Sequence, residues 1–263
     1  IFKLFKNNYL NYLKMNETKP SICLNMIVKN ESKIILRLLN SVISIIDTYC
    51  ICDTGSNDNT IEIMKKFFDD HKIQGKFLFK EFIDFGTNRD YVLQESKKLA
   101  DYNLLLDADM ILNINKDFNK SNLTSDIYLV KQGTKDFEYF NVRLISNKLD
   151  AKCVGVTHEY YEYNSSDETK LDSNIIFIED IGDGGSKENK YSRDIKLLKN
   201  AIEKNNLDVN LLIRYLFYLA NSYYDIKDYN NAILYYKKYL NIGNWSEEKF
   251  YCYYRIGLCY KNL

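Results

Sequence analysis

Two carboxylates separated by one residue, Asp107 and Asp109, follow directly on the apolar run Leu104-Leu105-Leu106. Such a run has the signature of a strand buried on both faces, and open α/β sheets place their ligands at the carboxyl ends of such strands. An Asp-Ala-Asp at that position can offer oxygens to one hard divalent cation, whose other positions go to water or phosphate. Alone, the triplet reads more readily as an acidic strand-to-loop turn, because Asp is common in turns. A second acid changes the balance. Asp53 closes the short apolar segment Tyr49–Cys52, and two acidic strand tips on one sheet edge are hard to assign to turn chemistry. Glu31 follows a third such segment, Ser21–Val28.

The elements that must carry these acids alternate. Ser21–Val28 and Tyr49–Cys52 read as strands, each followed by apolar residues at helical spacing, in KIILRLLNSVISII and IEIMKKFF. Between Asp53 and the second helix lies Thr54-Gly55-Ser56-Asn57-Asp58-Asn59-Thr60, a cluster of turn and N-cap residues with one glycine. It is unlike a Walker loop or a Gly-rich dinucleotide fingerprint. Lys76–Phe79 is expected as a third strand and Gly86–Ala100 as a helix with Arg89 near its start. The resulting βαβαβαβ order calls for a parallel sheet with right-handed crossovers. Strand-like stretches follow at Ile127–Val130, Phe137–Ile145 and Ala151–Tyr163.

Composition excludes some partners. With 36 Lys+Arg against 36 Asp+Glu the chain has no net charge, so no electrostatic case exists for nucleic-acid binding. No stretch approaches the roughly 20 apolar residues of a membrane span. The six cysteines form no CxxC pair, so they read as small core residues of a protein in a reducing, cytoplasmic compartment. The opening IFKLFKNNYLNYLK is expected as an amphipathic helix in an extension over residues 1–19.

Four segments together carry a resemblance. Met26–Glu31, Cys52–Thr60, Thr87–Ser96 and Leu104–Leu112, in this order and spacing, resemble the nucleotide-sugar half of family-2 glycosyltransferases of the GT-A fold. The resemblance covers about residues 20–180. It implies that Val28 and Glu31 lie against the base and ribose, that Asp53 accepts a hydrogen bond from the base, and that Arg89 supports the nucleotide pocket. It implies that Asp107, on the donor diphosphate, and Asp109 hold Mg²⁺ or Mn²⁺. Gly155–Glu159 resembles a late His-Glu element of the family, which implies that His158 reaches the metal and Glu159 the acceptor. An inverting transfer needs a general base near the acceptor hydroxyl; Glu159 is the first choice and Asp180 the second. Gly184-Gly185 is expected as a hinge or lid segment.

From Tyr191 the pattern turns helical. Leu216, Leu219, Ala220, Tyr223, Ala232 and Tyr236 fit a tetratricopeptide-like repeat, and the phrase recurs at Tyr253, Ile256, Gly257 and Tyr260, with the last repeat expected to be cut short. The expected organisation is an extension (1–19), a GT-A α/β domain with a mixed sheet (20–185) and an all-α repeat region (186–263). The expected activity is metal-dependent, inverting, hexosyltransferase-type transfer from a nucleotide-diphosphate sugar, UDP-linked by family resemblance, to a glycan, protein or lipid-linked acceptor hydroxyl. The repeats would bind a protein partner or a second copy. Two alternatives are carried: a nucleotidyltransferase, and a non-catalytic helical-repeat adaptor with an inactive front domain.

Overall fold

The computed structural model describes residues 19–134, 136–185, 189–204 and 206–263; the helix expected at residues 1–14 lies outside them. The first half alternates as expected: β1 (Ile22–Val28), α1 (Ile35–Val42), β2 (Thr48–Asp53), α2 (Thr60–Asp70), β3 (Gly75–Phe79), α3 (Phe85–Ser96) and β4 (Tyr102–Leu105). These four strands run parallel in the order β3-β2-β1-β4. Strand β1 is buried at every position but Ile27 and divides its side chains by parity. Ile22, Leu24, Met26 and Val28 join the cluster under α1 and α2, whereas Cys23 packs with Cys50, Cys52 and Val92 toward α3. Covering both faces is what a parallel sheet requires.

Beyond β4 the sheet becomes mixed. β7 (Glu138–Ser146) pairs antiparallel to β4, and β6 (Ile127–Gly133) antiparallel to β7. β11 (Ile176–Asp180) runs parallel to β6, and β5 (Met110–Ile114) closes the path antiparallel to β11. β10 (Glu168–Lys170) adds to β6. This mixed sheet flanked by helices fits the expected GT-A fold. The stretch 151–163 does not form one strand. It splits into the hairpin β8 (Lys152–Val154) and β9 (Tyr160–Glu162), because the backbone turns through positive φ at Gly155 (+111°) and His158 (+51°). The start of α3 is seated on that turn: Phe85 and Gly86 N–H donate to the Val156 and Gly155 carbonyls at 3.1 and 3.0 Å. A Cβ at Gly86 would meet the Gly155 oxygen at 2.2 Å, so only glycine allows this approach.

Among the described residues, four helices follow β11: α4 (Lys190–Glu203), α5 (Val209–Asp225), α6 (Tyr229–Ile242) and α7 (Ser246–Asn262), each packed on the next. Their core holds Leu219, Ala220, Ala232 and Tyr236, all fully buried. The two alanines stand where the pattern predicts close helix approach. All six cysteines are buried and free. Among the described residues no helix is long and apolar enough to cross a membrane.

Candidate functional site

The carboxyl ends of β1, β4 and β11 open onto one cleft of about 640 Å³. Its walls include Val28, Glu31, Arg89, Asp107, Asp109 and Asp180, six of the residues singled out in the sequence. The chain brings the acids together by short-range means. Met110 N–H donates to the Asp107 carbonyl at 3.2 Å, closing a tight turn after β4. Asp180 stands in register with Met110, and Ile181 N–H donates to the Asp109 carbonyl at 3.1 Å. Beside them, Gly184 N–H reaches Asp109 Oδ2 at 3.4 Å and Gly185 N–H reaches both Glu31 oxygens at 3.2 Å. The glycine pair thus lies across the acids, and Arg37 ties the same segment down through two bonds to Asp183 at 2.8 and 2.6 Å.

The polar loop after Asp53 supports Glu31 from behind. Glu31 N–H donates to Thr60 Oγ1 at 2.8 Å, Asn30 N–H to Ser56 Oγ at 3.0 Å, and Ser32 N–H to Asp58 at 3.2 Å. Burial opposes ionisation of Asp58, yet hydrogen bonds from Ser32 and Thr60 outweigh it and hold the carboxyl down at about 2. Asp53 does not line the cleft. Its carboxylate is folded back on Ser56, accepting from the backbone N–H at 3.0 Å and from Oγ at 2.7 Å, while its register partner Val28 and its neighbour Thr54 form the wall.

Arg89 occupies the centre of the constellation. Its Nη2 donates to Asp107 Oδ1 at 2.5 Å and its Nε to Glu159 Oε1 at 2.7 Å. Burial disfavours the charged guanidinium, but the two carboxylates keep it firmly protonated. Glu159 is therefore committed to Arg89 and does not line the cleft, whereas Asp180 does. His158 does not line the cleft either. Its ring stacks on Tyr218 of α5 at 3.8 Å and 5°, and its carbonyl accepts from Arg214 Nε and Nη2 at 3.0 and 2.7 Å. Burial, with the positive Lys190, Arg214 and Arg193 nearby, lowers its pKa from 6.5 to about 4, so it is neutral near pH 7.

Electrostatics distinguish the acids from a solvated surface patch. Burial raises the Glu31 carboxyl to about 7 against the pull of the Gly185 N–H, and the neighbouring Asp109, Asp107 and Asp183 push the same way. Carboxylates crowded at this density favour a cation among them. The donor atoms at Asp107 and Asp109 are all oxygen, which suits a hard divalent ion such as Mg²⁺ or Mn²⁺. Among the described residues no group of three or more His, Cys, Asp or Glu is arranged to hold a metal alone, so Asp107, Asp109 and His158 are not assembled as a three-ligand set. The two aspartates fit a metal that takes its remaining ligands from water or a bound phosphate.

Part of the lining was not foreseen. Lys190 and Arg193, on the first turn of α4, line the cleft together with Phe82 and Phe85. The Arg193 guanidinium lies over the Phe85 ring at 4.8 Å. No local pattern marks these residues, because they arrive from the helical region far along the chain.

Comparison with curated proteins finds no significant match. Among solved structures, Staphylococcus aureus TarS is similar at 13% identity over 85% of this chain, with a TM-score of 0.48; the chain spans 49% of that protein. A shorter TarS, residues 1–349, in complex with UDP-GlcNAc is 15% identical over 85% of this chain and 82% of its own, with a TM-score of 0.44. The mannosyltransferase PcManGT from Pyrobaculum calidifontis, in complex with GDP-Man and Mn²⁺, is 10% identical over 92% of this chain and 81% of its own, with a TM-score of 0.47. Residues 23–118, which run from β1 past β5 and carry Glu31, Asp53, Arg89, Asp107 and Asp109, match the family described as Glycosyl transferase family 2.

Proposed function

We propose that the chain is a glycosyltransferase that moves a sugar from a nucleotide-diphosphate donor to an acceptor hydroxyl with inversion. One observation carries the reading: the acids of three separate strand ends converge on one cleft that Arg89, Lys190 and Arg193 also line, within and beside the segment matched to the family. A diphosphate leaving group gains negative charge as the glycosidic bond breaks, and such a site needs positive charge at its oxygens. Asp107 and Asp109 would hold Mg²⁺ or Mn²⁺, which when bound supplies Lewis-acid stabilisation of that charge. Lys190 and Arg193, which line the same cleft, add fixed positive charge. Val28 and Glu31 flank the nucleoside, and Asp53 shapes that end of the cleft through Ser56. UDP is the preferred nucleotide on resemblance. Asp180, rather than Glu159, takes the acceptor proton in this reading, because it faces the cleft while Glu159 is held by Arg89.

The helical region belongs to the same reading as a tetratricopeptide-like array that buttresses the catalytic domain through Arg214 and Tyr218 and offers a partner surface. The free, buried thiols support a reducing compartment such as the cytoplasm in this reading. The test is a hydrolysis and binding panel of UDP- and GDP-linked sugars with and without Mn²⁺. Metal-dependent binding and slow hydrolysis of at least one donor is the expected result. Binding of nucleoside triphosphates with release of pyrophosphate identifies a nucleotidyltransferase instead, and no nucleotide binding at all marks an adaptor.

A further inference from the structure

The β6–β7 hairpin ends in a group of exposed aromatic rings that the donor cleft does not use. Phe137 is 67% exposed and Tyr139 is 41% exposed, and their rings lie 5.5 Å apart at 35° on one side of the hairpin. Sheet topology fixes where this tip stands. Strands β4, β7, β6 and β11 are consecutive neighbours; Asp107 follows the end of β4, and Asp180 ends β11. Gly133 of β6 pairs with Glu179 on one side and with Glu138 on the other. The tip therefore projects from the same sheet edge as the two acids, between them. Phe137 is level with Asp180 and two strand spacings away, roughly 10 Å.

The tip is braced. Gln132 Nε2 donates to the Tyr139 hydroxyl at 2.5 Å, Arg143 Nε donates to Gln132 Oε1 at 2.6 Å, and Arg143 Nη1 donates to the Leu105 carbonyl at 3.0 Å. Gln132 and Arg143 are buried, so this chain of bonds ties the aromatic tip to the base of the Asp107 turn. Thr134 N–H donates to the Phe137 carbonyl at 3.0 Å, and a Cβ on Gly133 (φ +152°) would meet that carbonyl oxygen at 2.0 Å. An exposed pair of aromatic rings costs apolar hydration, and side chains with two χ angles lose little entropy on binding a ligand.

The geometry points to this tip as the acceptor platform, with a pyranose ring of a glycan stacked on Phe137 and Tyr139; the inference rests on the glycosyltransferase reading. The apolar C–H face of a sugar ring matches an aromatic face, whose π cloud attracts the weakly positive hydrogens. Asn141, two residues beyond Tyr139 on β7, lies on the same face and offers a polar group to the sugar's hydroxyls. Lys131 and Glu138 pair with each other on the opposite face of the hairpin, so neither charge is directed at the rings.

The experiment is calorimetric titration of the full chain with cellohexaose, chitohexaose and maltohexaose, using wild type, Phe137→Ala, Tyr139→Ala and Phe137→Trp, with UDP plus Mn²⁺ titrated in parallel. At least one hexaose is expected to bind wild type, to bind either alanine variant about tenfold more weakly, and to bind Phe137→Trp as well as or better than wild type. UDP affinity is expected to be equal in all four. Absence of hexaose binding to wild type, or binding that the alanine variants leave unchanged, overturns the inference. So does sedimentation showing a wild-type dimer that Phe137→Ala dissociates, which assigns the rings to self-association. Failure of UDP to bind with hexaose binding intact counts against the donor reading alone.

Discussion

Arg89 donates to Glu159 through Nε at 2.7 Å and, through Nη2, holds Asp107, so one guanidinium links the turn after β4 to the β8–β9 hairpin. Removing it leaves two largely buried carboxylates facing each other without a counter-charge. Breaking a fully buried ion pair costs roughly 3–5 kcal/mol. The Asp107 side chain here is 30% exposed, so Arg89→Met is expected to lose about 2–3 kcal/mol in urea unfolding. Arg89→Lys should recover only part of this, because a single ammonium cannot span both partners as a planar fork does. Equal stability of all three proteins shows that the bridge contributes nothing in solution.

The metal reading stands on Asp107 and Asp109. Asp109→Ala is expected to abolish the Mn²⁺-dependent increase in UDP affinity, by more than the roughly 10–100-fold that loss of an outer-shell partner costs. Calorimetry with and without Mn²⁺ reads this directly. Unchanged UDP affinity in the presence of Mn²⁺ removes Asp109 from the ligand set.

The two candidate bases separate by their partners. Asp180→Asn should leave donor binding intact and lower transfer by about 10²–10⁴-fold, the usual worth of a positioned base. Glu159→Gln keeps one hydrogen bond to Arg89 and should cost far less. Single-turnover transfer assays on the two variants rank them, and a reversed ranking returns the base role to Glu159.

Much of this site was legible in the sequence because its signals are local. The leucine run before Asp107, the apolar segments before Glu31 and Asp53, and the helix spacings between them give the parallel half of the sheet directly. What escaped depends on residues distant in the chain. Lys190 and Arg193 look like ordinary helix-surface cations until α4 lays them beside Phe85. Asp53, expected to meet the base, also bonds within its own loop, where Ser56 lies three residues on and donates to the carboxylate. Residues 151–163 read as one strand because their β-branched and aromatic content outweighs a single glycine. His158 then adopts φ +51°, a left-handed conformation that few non-glycine residues take and that strand propensity does not anticipate.

That turn makes a prediction about pH. The His158 pKa falls from 6.5 to about 4 on folding, with burial as the main cause and the cations Lys190, Arg214 and Arg193 adding to it. Between those values the unfolded chain binds a proton that the native state refuses, so this residue's share of stability is complete above pH 6.5 and is lost as pH falls toward 4. The shift corresponds to about 3 kcal/mol at most. Asn tolerates a left-handed backbone and does not titrate, so His158→Asn should lose the stack on Tyr218 at neutral pH but show a flatter decline on acidification. Urea unfolding of both proteins at pH 7 and pH 4.5 provides the measurement. Other carboxylates titrate alike in the two, so the difference between their slopes isolates His158. Parallel slopes mean that the ring accepts a proton as readily in the folded protein as in the unfolded chain, and the packing of α5 on the β8–β9 turn is then looser than the stacked geometry requires.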